Sequence, residues 1–361
     1  MSTLNPAVAS SKVALVDLTE NDLEELAGFV AARSGRASDE TLKHLTWLLL
    51  DNPGRQERAA LGCGVRSSAG ALVGCILYLP QMFVFKRSPL LILGSSCFYV
   101  DESHRGSGGA LFLKFTRAAN TSPLFGNSAN AIAAQLWKAR GASPIPDSDH
   151  ELLGVVHWPP VIEDLAARRG AGETISRAVG TATTWLRHVQ KLELPLDRNS
   201  ELELLSSIDD VMDLPLDRPA ERLTALRNEP YIRWRYFSGR DPSIALFTFQ
   251  NRQSLREVFV AVNERPRGLR GTIRSLNVLD IFPKVSPDSM VAIVAALHER
   301  YRNDIDMVVL RCQDAACQKA LVATGFRRRA FESPNGWLLD RRALLPTQDW
   351  YFVPADGDWI I

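Results

Sequence analysis

The chain has 361 residues, which predicts about two domains at roughly 150 residues each. Its 42 basic and 41 acidic residues leave a net charge of +1, so no overall attraction to nucleic acid or to an anionic membrane is expected. No run of about 18 apolar residues predicts a membrane span, and residues 1–12 lack the pattern of a secretory signal, so we expect a cytoplasmic protein. The five cysteines form no Cys-x-x-Cys pair, so no metal is predicted.

The first hundred residues predict two helices, a hairpin and a further strand. A capping-box pattern and apolar residues at helical spacing mark the first helix, and turn-prone residues 67–70 separate the two hairpin strands. The predicted elements are a helix after Thr19–Asp22, a helix over Asp39–Leu50, strands over Ala59–Arg66 and Ala71–Leu79, and a strand over Leu90–Val100.

A basic, glycine-rich turn follows the strand and leads into a helix with an apolar face. At a helix N-terminus the first amides have no intrahelical partner and the helix dipole is positive. Glycines at 106, 108 and 109 let an anion approach the backbone, and Arg105 adds a positive charge, so the turn predicts a pyrophosphate site. An ordinary strand-to-helix turn is the alternative.

Two other nucleotide motifs fit this turn less well. No Gly-Lys-Ser/Thr follows the glycines, which argues against a nucleoside triphosphatase loop. A dinucleotide pattern would need its third glycine at position 111, where the sequence has Leu111. After the turn, the chain predicts a short strand over Pro123–Asn127 and a helix over Asn130–Arg140 that ends at Gly141.

The spacing Arg105-x-x-Gly108-x-Ala110, five residues after Val100, resembles the acetyl-CoA loop of the GCN5-related N-acetyltransferase (GNAT) superfamily. The resemblance implies a mixed, mostly antiparallel sheet flanked by helices, and acetyl-CoA or another acyl-CoA as cosubstrate. By the same resemblance, the strand residues would bind the pantetheine through their backbone, the loop would hold the pyrophosphate, and the next helix would touch the pantetheine arm. These residues are Cys97, Phe98, Tyr99 and Val100, then Arg105, Gly106, Ser107, Gly108, Gly109 and Ala110, then Asn130.

The same order of elements recurs in the second half. Trp47 and Trp234 each begin a segment that runs into an Asn-Pro or Asp-Pro stop, and Gly141 and Gly325 repeat nearly the same offset. We therefore predict an α/β (α+β) chain of two tandem GNAT-like domains, residues 1–190 and 191–361; two unrelated α/β halves are the alternative. The second half predicts strands over Ser243–Gln250, Glu257–Asn263, Ser275–Phe282 and Met307–Leu310, and helices over Met290–Tyr301 and Ala315–Thr324.

The two halves differ at the turn where phosphate would bind. In the second half this turn is 282–288, which contains two prolines and Asp288 in place of the Arg-Gly pattern. Proline removes amide donors and a carboxylate repels phosphate, so we expect pyrophosphate to bind only in the first half. The second half is expected to be a degenerate domain that supports the fold or closes the acceptor pocket.

At the positions of the acid and base, the sequence departs from the superfamily pattern. Trp137 lies where the superfamily commonly has a proton-donating tyrosine, and residues 90–99 contain no carboxylate. Tyr99 at the strand end and His157 after an apolar run are the catalytic candidates, because a phenol and an imidazole can move protons. A buried core tyrosine and a structural histidine are the alternatives. Tyr78 and Asp280 are further candidates on neighbouring strands.

The predicted function is transfer of an acetyl or other acyl group from coenzyme A to a primary amine, by direct attack in a ternary complex. The acceptor is expected to be a small molecule such as an amino sugar or a metabolite, and the protein a monomer or homodimer. A catalytically silent CoA-binding or regulatory module is one alternative. An aminoacyl-tRNA-dependent peptidyltransferase-like enzyme is the other.

Overall fold

The structure is a computed structural model of the chain. It describes residues 13–56, 59–170, 172, 177–178, 192–195, 201–214, 222–238, 241–250, 256–343, 345, 350–351 and 353–357. The predicted domain boundary at 190–191 lies outside these residues and stays a prediction. Among the described helices, none is both long enough and apolar enough to cross a bilayer.

The strands of the described residues form two sheets. They are β1 (Ala14–Leu18), β2 (Gly62–Arg66), β3 (Leu72–Phe85), β4 (Ser88–Val100), β5 (Leu124–Gly126), β6 (Ser143–Pro144), β7 (His150–Val155), β8 (Glu201–Leu204), β9 (Thr224–Ala225), β10 (Ile244–Gln250), β11 (Arg256–Arg267), β12 (Ile273–Phe282), β13 (Met307–Leu310), β14 (Arg327–Ala330) and β15 (Trp337–Leu339). The first sheet has the order β1-β2-β3-β4-β5-β15-β6, with β9 beside β3, and the second has the order β14-β7-β13-β12-β11-β10-β8. Pairing is antiparallel except between β4 and β5 and between β12 and β13.

Helices pack against both sheets. The described helices are α1 (Leu23–Ser34), α2 (Ser38–Leu45), α3 (Gly108–Phe115), α4 (Ala131–Ala139), α5 (Trp158–Arg168), α6 (Ile208–Met212), α7 (Glu229–Ile232), α8 (Pro287–Tyr301) and α9 (Ala315–Ala323). The predicted α/β (α+β) class with two mostly antiparallel sheets is confirmed. The two strands of the first hairpin differ from their predicted lengths. β3 runs on to Phe85 and not to Leu79, whereas β2 begins at Gly62 and not at Ala59.

One apolar core joins the two halves. It contains Leu26 of α1 and Leu77 of β3 from the first half, together with Leu246 of β10 and Phe259 of β11 from the second half. These side chains are fully buried, and burial of each contributes about 1.5–3 kcal/mol. The halves are therefore held together by a shared core as well as by the chain. On the other face of the first sheet, α3 and α4 cover a separate cluster that includes Phe112.

The two halves exchange a strand reciprocally. β7 leaves the first half and lies in the second sheet between β13 and β14, where Leu152 pairs with Leu310 and with Arg328. β15 leaves the second half and lies in the first sheet between β5 and β6, where Leu338 pairs with Phe125 and with Ser143. The same position in each sheet is thus filled by a strand from the other half. The sequence analysis did not predict this exchange.

Trp47 and Trp234, matched by their spacing in the sequence, contact each other in the structure. The indole N–H of Trp47 donates to the carbonyl of Trp234 at 2.8 Å, and the indole N–H of Trp234 donates to the carbonyl of Trp47 at 2.8 Å. Their rings stack with centroids 5.2 Å apart. Reciprocal contacts of this kind, in which each residue makes the same hydrogen bond to the other, are typical of a twofold interface. It supports the predicted tandem duplication.

His44 on α2 lies beside this pair and makes the stability depend on pH. Its ring lies 5.3 Å from Trp47, and burial, with Arg36 and Arg235 nearby, lowers the pKa of His44 to about 4. An unfolded histidine has a pKa of about 6.5, so between pH 6.5 and 4 the unfolded chain binds more protons than the folded one. The folded state should therefore lose about 3 kcal/mol as the pH falls through this range.

The variant His44→Phe keeps an aromatic ring beside Trp47 and removes the titration. Urea unfolding of both proteins at several pH values between 4 and 7.5 measures the difference. We expect the variant to lose less stability than the unsubstituted protein on acidification. Parallel pH curves for the two proteins would contradict the assignment.

Candidate functional site

The predicted site is centred on an opening between two parallel strands of the first sheet. β4 and β5 pair at Leu93–Leu124 and at Gly94–Phe125. β5 then ends at Gly126, whereas β4 continues for six residues beyond Gly94 to Val100. Within the described residues, β5 is paired with β4 only at Leu93 and Gly94 and does not extend along this final stretch. β4 therefore continues past the end of β5 toward the glycine-rich turn.

A β-bulge on β4 lies within this opening. The register between β3 and β4 shifts between Cys75 and Leu77, and Cys97 has a left-handed φ of 50°. A bulge bends its strand and redirects the side chains beside it. Cys97 and Tyr99 pack toward the core that joins the halves. Phe98 and Val100 pack toward α3. All four residues predicted to bind pantetheine lie in the opening, and that contact stays a prediction.

The glycine-rich turn lies at the same edge of the sheet. Residues 102–107 form a 3-10 turn that leads into α3. A Cβ added at Gly106 or Gly109 would meet no atom within 4 Å, so open space lies beside both. Arg105 is 74% exposed and lies 3.2 Å from Glu102, an exposed ion pair that contributes little to stability. Arg105 and the positive end of the α3 dipole are both placed where they can attract a phosphate.

Two groups of the turn are already used within the chain. The amide of Gly108 donates to the carbonyl of Arg105, and Ser107 is buried with its Oγ donating to the carbonyl of His104 at 2.8 Å. Ser107 thus stabilises the turn itself. Ala110 lies exposed in the first turn of α3. Pyrophosphate contact by the amides from Arg105 to Ala110 stays a prediction.

Asn130 and Trp137 have structural roles on α4. Asn130 is the N-cap of α4, and its Oδ1 accepts a hydrogen bond from the amide of Ala133 at 2.9 Å. Trp137 is buried and packs edge-on against Phe112 and Phe115, with centroids 5.1 and 6.2 Å away. The indole therefore fills the core beneath β5. Contact of Asn130 with the pantetheine arm stays a prediction.

The structure does not bring the two catalytic candidates together. Tyr99 is half-buried in the opening. His157 begins α5 on the second sheet, where its amide donates to the carbonyl of Asp306 at 3.1 Å and its Nδ1 lies 3.5 Å from the Asp306 carboxylate. Asp306 also binds Arg274 at the start of β12. Since Asp280 lies six residues further along β12, His157 is roughly 20 Å from the end of that strand that faces the first half.

The two further candidates lie in different sheets: Tyr78 is partly buried on β3 of the first sheet, and Asp280 is on β12 of the second sheet. Tyr78 stacks on Phe115 with centroids 4.9 Å apart, and its Oη donates to the carbonyl of Phe115 at 3.2 Å. Burial and the neighbouring Cys63 raise the pKa of Tyr78, so it is a weak acid. Asp280 is fully buried, and its Oδ2 accepts a hydrogen bond from Tyr236 at 2.8 Å.

A carboxy-terminal segment, Val353–Gly357, lies between the two halves. Arg227 binds both Asp280, with two contacts of 3.2 Å, and Asp356, at 2.7 Å. The side chains of all three residues are 0% exposed. Burial raises the pKa of Asp356, and the Asp280 carboxylate adds to this rise. This buried cluster fixes the segment to the second sheet.

The segment also reaches the edge of the first sheet. A Cβ on Gly357 would lie 1.5 Å from Nδ2 of Asn127, so only glycine fits at that position. Asn127 directly follows β5, and Arg235 donates to the carbonyl of Gly357. The segment is therefore packed at the end of the β4–β5 opening.

In the second half, the turn that corresponds to the phosphate loop is closed by its own side chains. Ser286 is the N-cap of α8, and its Oγ accepts a hydrogen bond from the amide of Ser289 at 3.1 Å. Pro287 and Asp288 follow in the first turn of the helix. Lys284 is paired with Asp314 at 2.6 Å. These contacts support the expectation that an anion binds in the first half and not here.

Comparison with known proteins gives structural neighbours only. No protein family matches the sequence, and no curated protein is similar to it. A probable N-acyltransferase from Enterococcus faecalis V583 has a TM-score of 0.54 at 8% identity, over 91% of this chain and 72% of that one. The N-myristoyltransferase of Saccharomyces cerevisiae with bound myristoyl-CoA has a TM-score of 0.54 at 14% identity, over 95% and 86%. A GCN5-related N-acetyltransferase from Anabaena variabilis has a TM-score of 0.54 at 11% identity, over 91% and 72%.

The chain has a tandem GNAT-like fold. The superfamily resemblance that the loop spacing suggested is thus confirmed at the level of the fold. In this GNAT-like chain the first half carries the open loop and the second half carries the capped one. Among the described residues, no group of three His, Cys, Asp or Glu side chains is arranged to hold a metal ion.

A small cavity that the sequence did not predict lies between the two halves. Its wall includes Asn127, His150, Arg311 and Gln313, and its volume of about 20 Å³ is room for about one water molecule. His150 was overlooked because a histidine at the start of a short strand gives no periodic signal. The adjacent pair Asp149–His150 before an apolar run is the one feature that could have pointed to it.

Proposed function

We propose that the protein is an acyl-CoA-dependent N-acyltransferase that transfers an acyl group to a primary amine. The observation that carries the proposal is the β4–β5 opening, with an open, basic, glycine-rich turn and a helix N-terminus at the same edge of the sheet. An extended thioester and a diphosphate need these two features side by side. Acyltransferases among the structural neighbours, one of them with bound myristoyl-CoA, add support.

In this proposal the first half holds the cosubstrate. The backbone of β4 after Gly94 binds the pantetheine arm as a neighbouring strand would. The α3 dipole and Arg105 hold the pyrophosphate. These contacts fix the thioester carbonyl near the end of β5, and holding two reactants in a reactive geometry can supply much of the rate. The nature of the acyl group and a cytoplasmic location stay predictions.

Binding of coenzyme A tests the loop. The double variant Arg105→Glu, Gly108→Val should bind CoA at least about 100-fold more weakly in calorimetry, because it reverses a charge and adds bulk where the pyrophosphate lies. Arg105 is exposed, and a Cβ at position 108 would make only an ordinary 3.8 Å contact with Val100, so the fold should survive. Arg117→Glu, the same charge reversal on an exposed residue beyond the other end of α3, is the matched control. Equal affinity of the double variant and the control would refute the site.

A catalytically silent CoA-binding module is the second candidate function. The buried position of Trp137 favours it, since the indole occupies the place of the superfamily's usual proton donor and is packed in the core. Release of free thiol from acetyl-CoA in the presence of amines separates the two. A protein that binds CoA and releases no thiol with any amine is the silent module.

A further inference from the structure

The second half contains an opening of the same kind as the β4–β5 opening. β12 and β13 are parallel, and their last pair is Val278–Leu310. β13 ends there, whereas β12 continues for four residues to Phe282. The register between β11 and β12 shifts just beyond this pair, so Leu279 forms a bulge as Cys97 does in β4. Both halves therefore have the strand geometry that, in the first half, is proposed to receive the pantetheine arm.

The two openings differ in how far their central strands are exposed. The last four residues of β4, residues 97–100, are all partly exposed. The last four residues of β12, residues 279–282, are all buried, with exposed fractions of 5% or less. The end of β12 is therefore covered by another part of the chain, whereas the end of β4 is accessible.

The carboxy-terminal segment, together with Tyr351 before it, fills the second opening. Oη of Tyr351 donates to the carbonyl of Ile281, a backbone group beyond the last pair of β12 with β13. Tyr351, Val353 and Pro354 line a residual space together with the ends of β12 and β13. That space is about 20 Å³, which is room for about one water molecule. The segment thus lies where an extended ligand would lie in the first half.

The segment is a closed turn that is fixed to β12. Arg227 joins Asp356 of the segment to Asp280 in the final stretch of β12. The amide of Val353 donates to Oδ2 of Asp356 at 3.0 Å, and the amide of Asp356 donates to the carbonyl of Val353 at 3.0 Å. Because the turn is closed by these bonds, the position of the next residue, Gly357, is set by the contacts of the segment with the second half.

Gly357 meets the first half at the end of β5. A Cβ on Gly357 would lie 1.5 Å from Nδ2 of Asn127, so the two residues are in close contact. Asn127 directly follows Gly126, the last residue of β5, near which the thioester carbonyl is proposed to lie. A shift of the segment would therefore shift the chain beside the reacting carbon.

We infer that the second opening takes the carboxy-terminal segment in place of a coenzyme, and that this docking positions the end of β5 for acyl transfer in the first half. The inference rests on the proposed function and adds to it the task of the second half. Tyr351 and Gly357 are then positioning residues, which act through β12 and through Asn127. It follows that the protein binds one CoA per chain.

The first test substitutes Gly357 in the full chain. Gly357→Ala should lower kcat by about 10-fold or more, because the added Cβ displaces the segment from Asn127. The rate is that of thiol release from acetyl-CoA with the most reactive of glycinamide, ethanolamine and glucosamine. CoA affinity in calorimetry should stay within about threefold, since the phosphate loop is untouched. The double variant Asn127→Ala, Gly357→Ala removes the clashing atoms and should recover part of kcat.

Gly28→Ala is the matched control, because a Cβ there meets no atom within 4 Å. It should leave kcat unchanged. A Gly357→Ala protein with the kcat of the control would overturn the positioning role. So would a double variant no faster than Gly357→Ala, because the effect would then not pass through Asn127.

The second test loosens the segment from the second half. Tyr351→Phe removes the hydroxyl that binds Ile281 and keeps the ring. Hydrogen–deuterium exchange of the amides in residues 353–357 should become about 2- to 10-fold faster, which is the range that one lost hydrogen bond gives. kcat should fall by about threefold or more with CoA affinity unchanged. Tyr301→Phe, the same change on α8 outside the segment, is the control and should alter neither.

The exchange measurement separates failure of this inference from failure of the proposed function. If the unsubstituted protein does not bind CoA, the proposed function fails and the positioning role fails with it, while the exchange rates still decide whether the segment is docked. If it binds CoA and releases no thiol, the CoA site stands and the positioning role is overturned. Two CoA molecules per chain, or exchange in Tyr351→Phe equal to that in Tyr301→Phe, would overturn the docking. If Gly357→Ala does not fold, kcat of Tyr351→Phe decides the positioning role.

Discussion

Neither half of the chain should fold when it is expressed alone. Residues 1–190 lack β15 and the buried side chains Trp337, Leu338 and Leu339 that complete the first sheet. Residues 191–361 lack β7, which separates β13 from β14 in the second sheet. Burial of one such side chain contributes about 1.5–3 kcal/mol, so the three of β15 together approach the whole stability of a typical domain, about 5–15 kcal/mol.

Circular dichroism and thermal unfolding of the two fragments measure this expectation. Each fragment alone should lack a cooperative transition, and co-expression should give one folded, associated species. The matched control is the full chain with a protease site inserted between residues 190 and 191 and cleaved after folding, which should stay associated. A soluble 1–190 fragment with a cooperative transition would falsify the dependence on the exchanged strands.

Substitution of Arg227 by methionine should destabilise the protein by about 3–5 kcal/mol. Arg227 is the cation between Asp280 and Asp356, and all three side chains are fully buried. Removal of one partner from a buried ion pair leaves an uncompensated charge, which is the costly case. Methionine fills a similar volume without a charge. The decrease in the free energy of unfolding therefore measures mainly the cost of leaving the two carboxylates buried without their cation. Urea unfolding at pH 7.5, followed by tryptophan fluorescence, gives the free energy.

The triple variant Arg227→Met, Asp280→Asn, Asp356→Asn is the control, because no buried charge remains in it. It should recover part of the loss. The single variant should also become more stable as the pH falls from 7.5 toward 5. Burial raises the pKa of Asp356 and Arg227 opposes that rise, so without the arginine the pKa of Asp356 lies further above its unfolded value and the folded state binds more protons in this range. A single variant within 1 kcal/mol of the unsubstituted protein, or one destabilised by acid in this range, contradicts the role given to Arg227.

The local elements of the fold could be predicted from the sequence because their signals are local. The strand that ends at Val100, the turn after it and the helix over residues 131–139 follow from apolar spacing, glycine and a capping asparagine. The equivalence of Trp47 and Trp234 followed from matched stop patterns. Each of these signals lies within about 15 residues of the element that it marks.

The exchanged strands and the cavity between the halves could not be predicted in the same way. β15 is three residues long, and its partners in β5 and β6 lie 211 and 193 residues from Trp337 in the chain, so nothing near Trp337 indicates them. The cavity joins Asn127, His150 and Arg311 only because β7 crosses between the sheets. His157 was chosen from the sequence because it follows an apolar run, but that run leads away from the opening.

The mutual indole contact of Trp47 and Trp234, with the exchanged strands beside it, has a consequence for ancestry. A single copy of either half, paired with an identical copy, would form a domain-swapped dimer in which one tryptophan meets itself across the axis. Such a dimer would have two equivalent cosubstrate sites. Once a gene fusion joined the copies, their sequences were free to diverge. One copy could then keep its phosphate loop, while the other replaced that loop with the capped turn before α8.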